Sequence, residues 1–267
     1  MEPYEKIKCS RSTSRATAKD YIEKMFDNFT ELHGDRSFGD DAAIIGGIGW
    51  LGDKAVTVIG IEKGKTLEEK TMRGFGSPLP EGYRKAQRLM KQAEKFNRPV
   101  VCIVDTQGAG CGAGAEQRGA GQAIADNLYE LMTLKTPIIT IMAGEGGSGG
   151  ALALAVADEV WMMENAYYSV ITPEACASIL YKDSTKAPEA AEKLHLFADN
   201  LLEYGIIERK LDEPADFTDE KQFSAYTSFL SDCLKEEFAK LGKKSKKKLL
   251  ADRYEKYRKI GRYKEIG

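Results

Sequence analysis

Three features of the chain predict an α/β fold in which helices cover a parallel or mixed sheet. Short apolar runs at residues 99–104, 137–142 and 159–163 have the length of buried strands, and helix-period stretches separate them. Glycine-dense turns follow the first two of these runs, where strands of such sheets hand over to helices. With 267 residues and 42% hydrophobic composition, the chain can bury one large core, alone or with a helical annex.

Residues 1–16 hold Ser, Thr, Arg and Lys without a clean period and are expected to run over the surface. Residues 17–29 place Tyr21, Ile22, Met25, Phe26 and Phe29 on one helical stripe. After a polar linker at 31–41, residues 42–51 and 54–61 read as a hairpin about Gly52-Asp53. Residues 66–80, rich in charge, Gly and Pro, read as a loop with a short helical start, and 81–96 as an amphipathic helix. The unit then repeats: strand 99–104, turn 106–115, helix 118–134, strand 137–142, turn 144–147, a short helix to Ala157, strand 159–163. Residues 168–171 read as a short strand, 173–180 and 188–204 as helices, and 206–211 as a last strand. Residues 223–241 and 249–260 are helical, flanking the basic run Lys243 to Lys248, which is either a solvated face or a contact for an acidic partner or phosphates.

A net charge of -2 gives no polyanion-binding signature, so nucleic acid is not an expected partner. No stretch has the form of a secretory signal or approaches membrane-spanning length, and a cytoplasmic location is expected. The five cysteines, Cys9, Cys102, Cys111, Cys176 and Cys233, contain no CxxC pair, which excludes both a disulfide framework and a zinc knuckle as readings. Only His33 and His195 could serve histidine-based proton transfer.

The segment Gly144-Glu145-Gly146-Gly147-Ser148-Gly149-Gly150-Ala151 fits three chemistries. Gly144-x-Gly146-x-x-Gly149, with Glu164 about twenty residues on, matches a dinucleotide fingerprint, although the intervening helix is short. Gly146-x-Ser148-x-Gly150 matches a nucleophile elbow, with Asp183 and His195 following in hydrolase order. The third needs no reactive side chain: backbone amides of Gly146 and Gly147 would stabilise an oxyanion, and a helix starting near Ser148 would add its positive end.

Ordered motifs along the chain carry a family resemblance. They are Asp20-Tyr21-Ile22, Glu31-Leu32-His33-Gly34-Asp35-Arg36, Lys63-Gly64, Pro80-Glu81-Gly82-Tyr83-Arg84-Lys85-Ala86, Arg88-Leu89-Met90, Asp105-Thr106, Gly108-Ala109, Ala115-Glu116, Arg118-Gly119, the Gly144 to Ala151 segment, and Ser169-Val170-Ile171-Thr172-Pro173-Glu174. From about Tyr4 onward the chain resembles the alpha subunit of the acetyl-CoA carboxylase carboxyltransferase. The resemblance implies a crotonase-like (ClpP/crotonase) fold of stacked ββα units with helical N- and C-terminal extensions: a segment at 1–30, a core at 31–212 and a basic extension at 213–267. It implies transfer of a carboxyl group from carboxybiotin, held on a separate biotin carboxyl carrier protein, to acetyl-CoA, giving malonyl-CoA. The implied partners are a carboxyltransferase beta subunit bearing the zinc, in an α2β2 assembly, and biotin carboxylase in the wider complex.

On this chain the resemblance makes the amides of Gly146 and Gly147 the holders of biotin's ureido oxygen, with Gly108, Ala109 and Gly110 shaping a second wall. Arg73, Arg84, Glu116 and Arg118 are the candidates for polar support, each also readable as a structural ion pair. No biotin-attachment lysine motif, cysteine-rich ribbon or P-loop is present, so the chain is expected to hold no metal and to be inactive alone. Departures gather near the site. Gln107-Gly108-Ala109-Gly110-Cys111-Gly112 stands where Pro-Gly-Ala-Tyr-Pro-Gly is the expected pattern, Gln117 and Ala120-Gly121-Gln122 differ, and Glu62 and Gly74 replace an expected Gln and Asn. Lost prolines and an aromatic predict a looser, emptier wall. The alternatives are therefore a carboxyltransferase or decarboxylase subunit for another acyl-CoA, a noncatalytic assembly partner, and a serine hydrolase using Ser148.

Overall fold

The computed structural model describes residues 1–261. Helices α1 (Pro3–Ser10) and α2 (Ala18–Met25) lead to strand β1 (Asp27–Glu31), the hairpin β2 (Ile44–Leu51) and β3 (Lys54–Ile61), and helices α3 (Leu67–Met72) and α4 (Pro80–Lys95). Next come β4 (Val100–Thr106), α5 (Ala113–Gln117), α6 (Ala120–Thr133), β5 (Ile138–Gly147), α7 (Ser148–Leu152), β6 (Glu159–Met163) and β7 (Tyr167–Ser169). The chain continues through α8 (Pro173–Tyr181), α9 (Ala187–Leu194), α10 (Ala198–Glu203), β8 (Arg209–Leu211), α11 (Glu220–Leu241) and α12 (Lys246–Arg258).

Among the described residues, the strands form one sheet in the order β1-β2-β3-β4-β5-β6-β8, with β7 also paired to β5. The first three are antiparallel and the pairs from β3 onward are parallel. Every residue of β4 and β5 is buried, as expected of central strands covered on both faces. Glycines let the cover approach closely. A Cβ on Gly46 would lie 2.4 Å from Leu89 of α4, and one on Gly60 would lie 2.8 Å from Ala18 of α2. Gly60 pairs with Ile45, the neighbour of Gly46, so strand alternation puts α4 and α2 on opposite faces. The Tyr21 and Phe223 rings meet edge to face at 5.4 Å, which fastens α11 over α2, and α11 and Leu249 of α12 share the main hydrophobic cluster. Residues 262–267 of the expected C-terminal extension lie outside the described residues.

Five local expectations are corrected. Residues 1–16 contain helix α1, whose Ile7 is fully buried beside Tyr167, Leu196 and Phe197. The helix expected at 17–29 ends at Met25, because β2 is bare at Gly47 and Gly49 and the chain crosses there as β1: a Cβ on Gly47 would meet the Thr30 carbonyl at 2.1 Å, and one on Gly49 the Phe26 Cβ at 2.9 Å. The helix expected at 188–204 is two, since His195 turns left-handed at φ 49° and sends Leu196 and Phe197 into the cluster with Ile7. The expected turn at 144–147 is the end of strand β5, and α5 occupies part of the turn expected at 106–115.

Glu62, one of the departures, has a fold-level role. Its buried carboxylate accepts the Lys19 amide on one oxygen and the Gly64 amide on the other, both at 2.7 Å. A glutamine offers one acceptor oxygen and would aim an NH2 group at the second amide. Glu62→Gln is therefore expected to lower unfolding free energy by about 1–3 kcal/mol. Urea denaturation at pH 7 checks this, and an unchanged midpoint would refute it.

Candidate functional site

Strands β4 and β5 run side by side and end in the two glycine segments, so parallel pairing alone brings those segments together. The backbones touch. A Cβ on Gly147 would lie 2.1 Å from the Gln107 carbonyl oxygen, and one on Gly150 would lie 2.4 Å from the Ala109 nitrogen. These glycines are required by backbone meeting backbone. Tyr83, buried on α4, donates to the Gly150 carbonyl at 3.2 Å and pins the joint from below. On the far side of β5, Gly146 and Gly147 pair with Tyr168 and Ser169 of β7. Ser148 is exposed with φ 53°, a strained conformation for a non-glycine residue, and no side chain caps the start of α7.

Beneath the joint lies a buried ionic network centred on Glu145. Its carboxylate accepts from Lys63 Nζ at 2.7 Å, from Arg11 Nε at 2.8 Å and from the Tyr167 hydroxyl at 2.8 Å. The Glu145 amide donates to Asp105 Oδ1 at 2.8 Å, and Lys63 Nζ reaches the same oxygen at 2.6 Å. Arg11 continues to Glu174 of α8 at 2.7 Å, and Arg15 pairs with Glu213 at 2.7 Å while donating to the Ala143 carbonyl of β5. Burial by itself would raise the Glu145 carboxyl, but the charge of Lys63 and hydrogen bonds from Lys63, Arg11 and Tyr167 hold it below its ordinary value. Burial likewise pulls the Lys63 ammonium down, and the charges of Asp105 and Glu145 outweigh it, leaving it above the ordinary lysine value.

The sequence-predicted residues divide into three places. Gly146 and Gly147 lie at the end of β5, with Gly108, Ala109 and Gly110 across the joint; Gly110 donates to the Pro78 carbonyl at 2.8 Å, and Thr106 Oγ1 fastens Gly108 at 2.8 and 3.0 Å. Arg84 of α4 and Arg118 after α5 form a separate cluster with Asp35, Glu81 and Phe38. Arg84 bonds Asp35 at 2.7 Å and the Arg118 carbonyl at 2.9 Å, and Arg118 pairs with Glu81 and stacks on Phe38 at 4.7 Å. Arg73 instead donates to the Ala42 carbonyl at 2.6 Å, and the exposed Glu116 side chain faces solvent at α5. No hydrogen bond joins Ser148, Asp183 and His195 among the described residues: Asp183 binds Thr185, and His195 is exposed. A carboxylate oxygen of Glu164, the ribose-binding candidate, accepts the Glu213 amide, and of the fingerprint glycines Gly144 and Gly146 run as strand while Gly149 lies in α7. Lys244 and Lys248 pair with Asp252, which accounts for part of the basic run.

Sequence reasoning missed the roles of Glu145, Lys63, Arg11 and Tyr167. The available signal was the placement of Asp105 and Glu145, two acids that each end an apolar strand directly before a glycine turn.

Among the described residues, no helix is long and apolar enough to cross a membrane, and no group of three or more His, Cys, Asp or Glu could hold a metal ion. A family model described as acetyl co-enzyme A carboxylase carboxyltransferase-like matches residues 1–261. The acetyl-coenzyme A carboxylase carboxyl transferase subunit alpha of Ruminiclostridium cellulolyticum is 55% identical over 261 residues, covering 98% of this chain and 98% of the relative. The subunits beta/alpha polypeptide of Natranaerobius thermophilus is 54% identical over 265 residues, which are 99% of this chain and 44% of that polypeptide. Among solved structures, a Pseudomonas malonate decarboxylase hetero-tetramer in complex with coenzyme A superposes with a TM-score of 0.68 at 18% identity, covering 89% of this chain and 92% of that one. At that identity the likeness carries the fold alone, and it is the crotonase-like fold of stacked ββα units expected from the sequence.

The network makes stability depend on pH in a defined sense. Glu145 is more acidic folded than unfolded, so its contribution is present above its ordinary value of 4.5 and is lost as pH falls through the lower folded value. Glu145→Gln leaves Lys63 and Arg11 short of a buried counter-charge and is expected to cost about 3–5 kcal/mol at pH 7. In urea melts the gap between the two proteins should shrink as the pH is taken below 4.5. A gap that stays constant into acid would mean that the carboxylate charge is not its source.

Proposed function

Since the chain belongs to the acetyl-CoA carboxylase carboxyltransferase alpha-subunit family, we propose that it transfers the carboxyl group of carboxybiotin to acetyl-CoA, giving malonyl-CoA, as one half of a two-subunit enzyme. The observation that carries the mechanism is the close joint of Gly147 on Gln107, which brings the ends of β4 and β5 into backbone contact. When bound, biotin supplies the transferable carboxyl group and a ring nitrogen able to take the acetyl methyl proton.

The residues fit an anionic oxygen. The start of α7 has no side-chain cap, which leaves amides for an incoming acceptor. Within the pair Gly146 and Gly147, the second is the better placed donor. Successive amides of a strand point to opposite sides; the Glu145 amide faces Asp105 on β4, so that of Gly146 faces β7, its ladder partner, and regular pairing ends at Gly147. The positive end of α7 adds little, because the helix has only five residues. Catalysis on this chain is then electrostatic: a fixed donor stabilises charge developing on the ureido oxygen, and the rigid joint aligns it. Gly108 to Gly110 form the facing wall, while Arg84 and Arg118 are engaged in structural ion pairs.

The CoA side is assigned to a beta subunit, in an α2β2 assembly served by a biotin carboxyl carrier protein and by biotin carboxylase. Support comes from the Natranaerobius polypeptide, which joins beta and alpha in one chain, and from the apolar side chains of Val170, Ile179 and Leu180, exposed by 80, 69 and 66% beside β7 and on α8. The zinc of the assembly is placed on that subunit, and the cytoplasm is the proposed location.

Co-expressed with its beta subunit, the chain is expected to exchange carboxyl groups between malonyl-CoA and biotin, and to be inactive alone. Ser148→Gly, which removes the hydroxyl and suits φ 53°, should leave the exchange rate within about threefold. A nucleophilic serine would instead cost on the order of 10⁶-fold. Exchange with a longer acyl-CoA but not with malonyl-CoA would transfer the reading to another acyl substrate.

A further inference from the structure

Among the described residues, Lys63 is the one side chain that bonds both Asp105 and Glu145, the acids beside the two glycine segments. Its Nζ lies 2.6 Å from Asp105 Oδ1, two residues before the Gln107 wall, and 2.7 Å from Glu145 Oε1, one residue before Gly146. The ammonium comes from neither strand, since Lys63 follows β3 at the mouth of the loop to α3. The segment at the 3-10 turn Gly74–Gly76 roofs it: a Cβ on Gly76 would fall 2.5 Å from the Lys63 Cγ and 3.3 Å from the Asp105 carbonyl. The segment just after that roof also holds the wall, through the Gly110 amide on the Pro78 carbonyl at 2.8 Å. Two like-charged carboxylates at the ends of adjacent strands repel unless a cation stands between them. Lys63 is that cation, and its protons are engaged with both acids, which excludes it as the base that removes a substrate proton.

We propose that Lys63 is a positioning residue for carboxyl transfer, fixing the separation of the Gly146–Gly147 donor strand from the Gln107–Gly110 wall by bridging Glu145 and Asp105. The role rests on the carboxyltransferase reading for its kinetic consequence but not for its structural one. Without the bridge, the two acids move apart or share a proton, and the gap between donor and wall is no longer set. Arginine retains the charge but is longer and planar, so it restores the gap only in part.

The test compares the wild-type chain with Lys63→Met and Lys63→Arg, each assembled with the beta subunit. In carboxyl exchange between malonyl-CoA and biotin, Lys63→Met should lower kcat about 100-fold with KM for malonyl-CoA unchanged within about twofold, and Lys63→Arg about tenfold. Hydrogen exchange should rise in both 105–112 and 144–152 in Lys63→Met while α4 and α6 stay protected. Unchanged kcat, a rise in KM alone, or unchanged protection of both segments would each overturn the proposal. Should Lys63→Met fail to fold, Lys63→Arg and Lys63→Gln are read by the same measures. A wild-type complex without exchange would refute the functional reading, and hydrogen exchange would still decide the positioning role.

Discussion

The buried carboxylate of Glu145 is the constraint on which the rest of this structure depends. A charge in that position is tolerable only when cations and donors converge on it, and they come from three parts of the chain, Arg11 after α1, Lys63 after β3 and Tyr167 on β7, while the Glu145 amide itself donates to Asp105 on β4. Each contact therefore also fixes an element. Helix α1 would otherwise be an amphipathic turn held by Ile7 and little else; the link from Arg11 to both Glu145 and Glu174 ties it to β5 and α8 together. The network is polar but sits directly under a hydrophobic sheet, which is why its geometry is over-determined.

From that constraint the glycine joint follows. Once Glu145 and Asp105 are held side by side, the residues after them have nowhere to go but into contact, and only glycine allows the 2.1 Å and 2.4 Å approaches that a Cβ would make at Gly147 and Gly150. Tyr83 and Thr106 finish the joint by satisfying its carbonyls and amides. Close packing of two backbones gives a rigid surface with few side chains on it. Such a surface suits chemistry in which the protein stabilises charge but donates no atom.

Much of this architecture was legible in the sequence, for a physical reason. Parallel strands buried on both faces are continuous apolar runs, so β4, β5 and β6 stood out, and the glycine segments after β4 and β5 marked the site. What was illegible depended on partners remote in sequence. The stripe Tyr21, Met25, Phe26, Phe29 obeys helical spacing, yet Phe26 and Phe29 lie over the glycines of β2, which no local pattern reveals. Leu196 and Phe197 belong to a cluster with Ile7, nearly the whole chain away. Arg84 and Arg118 were candidates for polar support, and their engagement with Asp35 and Glu81 is tertiary information. Lys63 and Glu145 were each visible inside motifs, and only the fold joins them.

The altered wall can now be divided. Its inner half, Gln107 to Gly110, is fixed by Thr106, Pro78 and the joint with Gly147 and Gly150, and there a proline or aromatic could be lost without loosening the backbone. Its outer half, Cys111 to Gly114, is exposed, and a Cβ on Gly108 or Gly112 would meet nothing within 4 Å. Those two glycines have φ of 149° and 128°, so they serve conformation and leave space unfilled. At Gly110, where the expected pattern has its aromatic, a Cβ would instead lie 2.9 Å from the Ser77 carbonyl oxygen and 3.0 Å from Leu79. Gly74, another departure, takes φ 54°, a region that Asn and Gly both tolerate, so the roof over Lys63 keeps its shape. Changes near the site therefore bear on what can approach it, while the charge-stabilising joint, set by Glu145, Lys63 and Asp105, is left as it was.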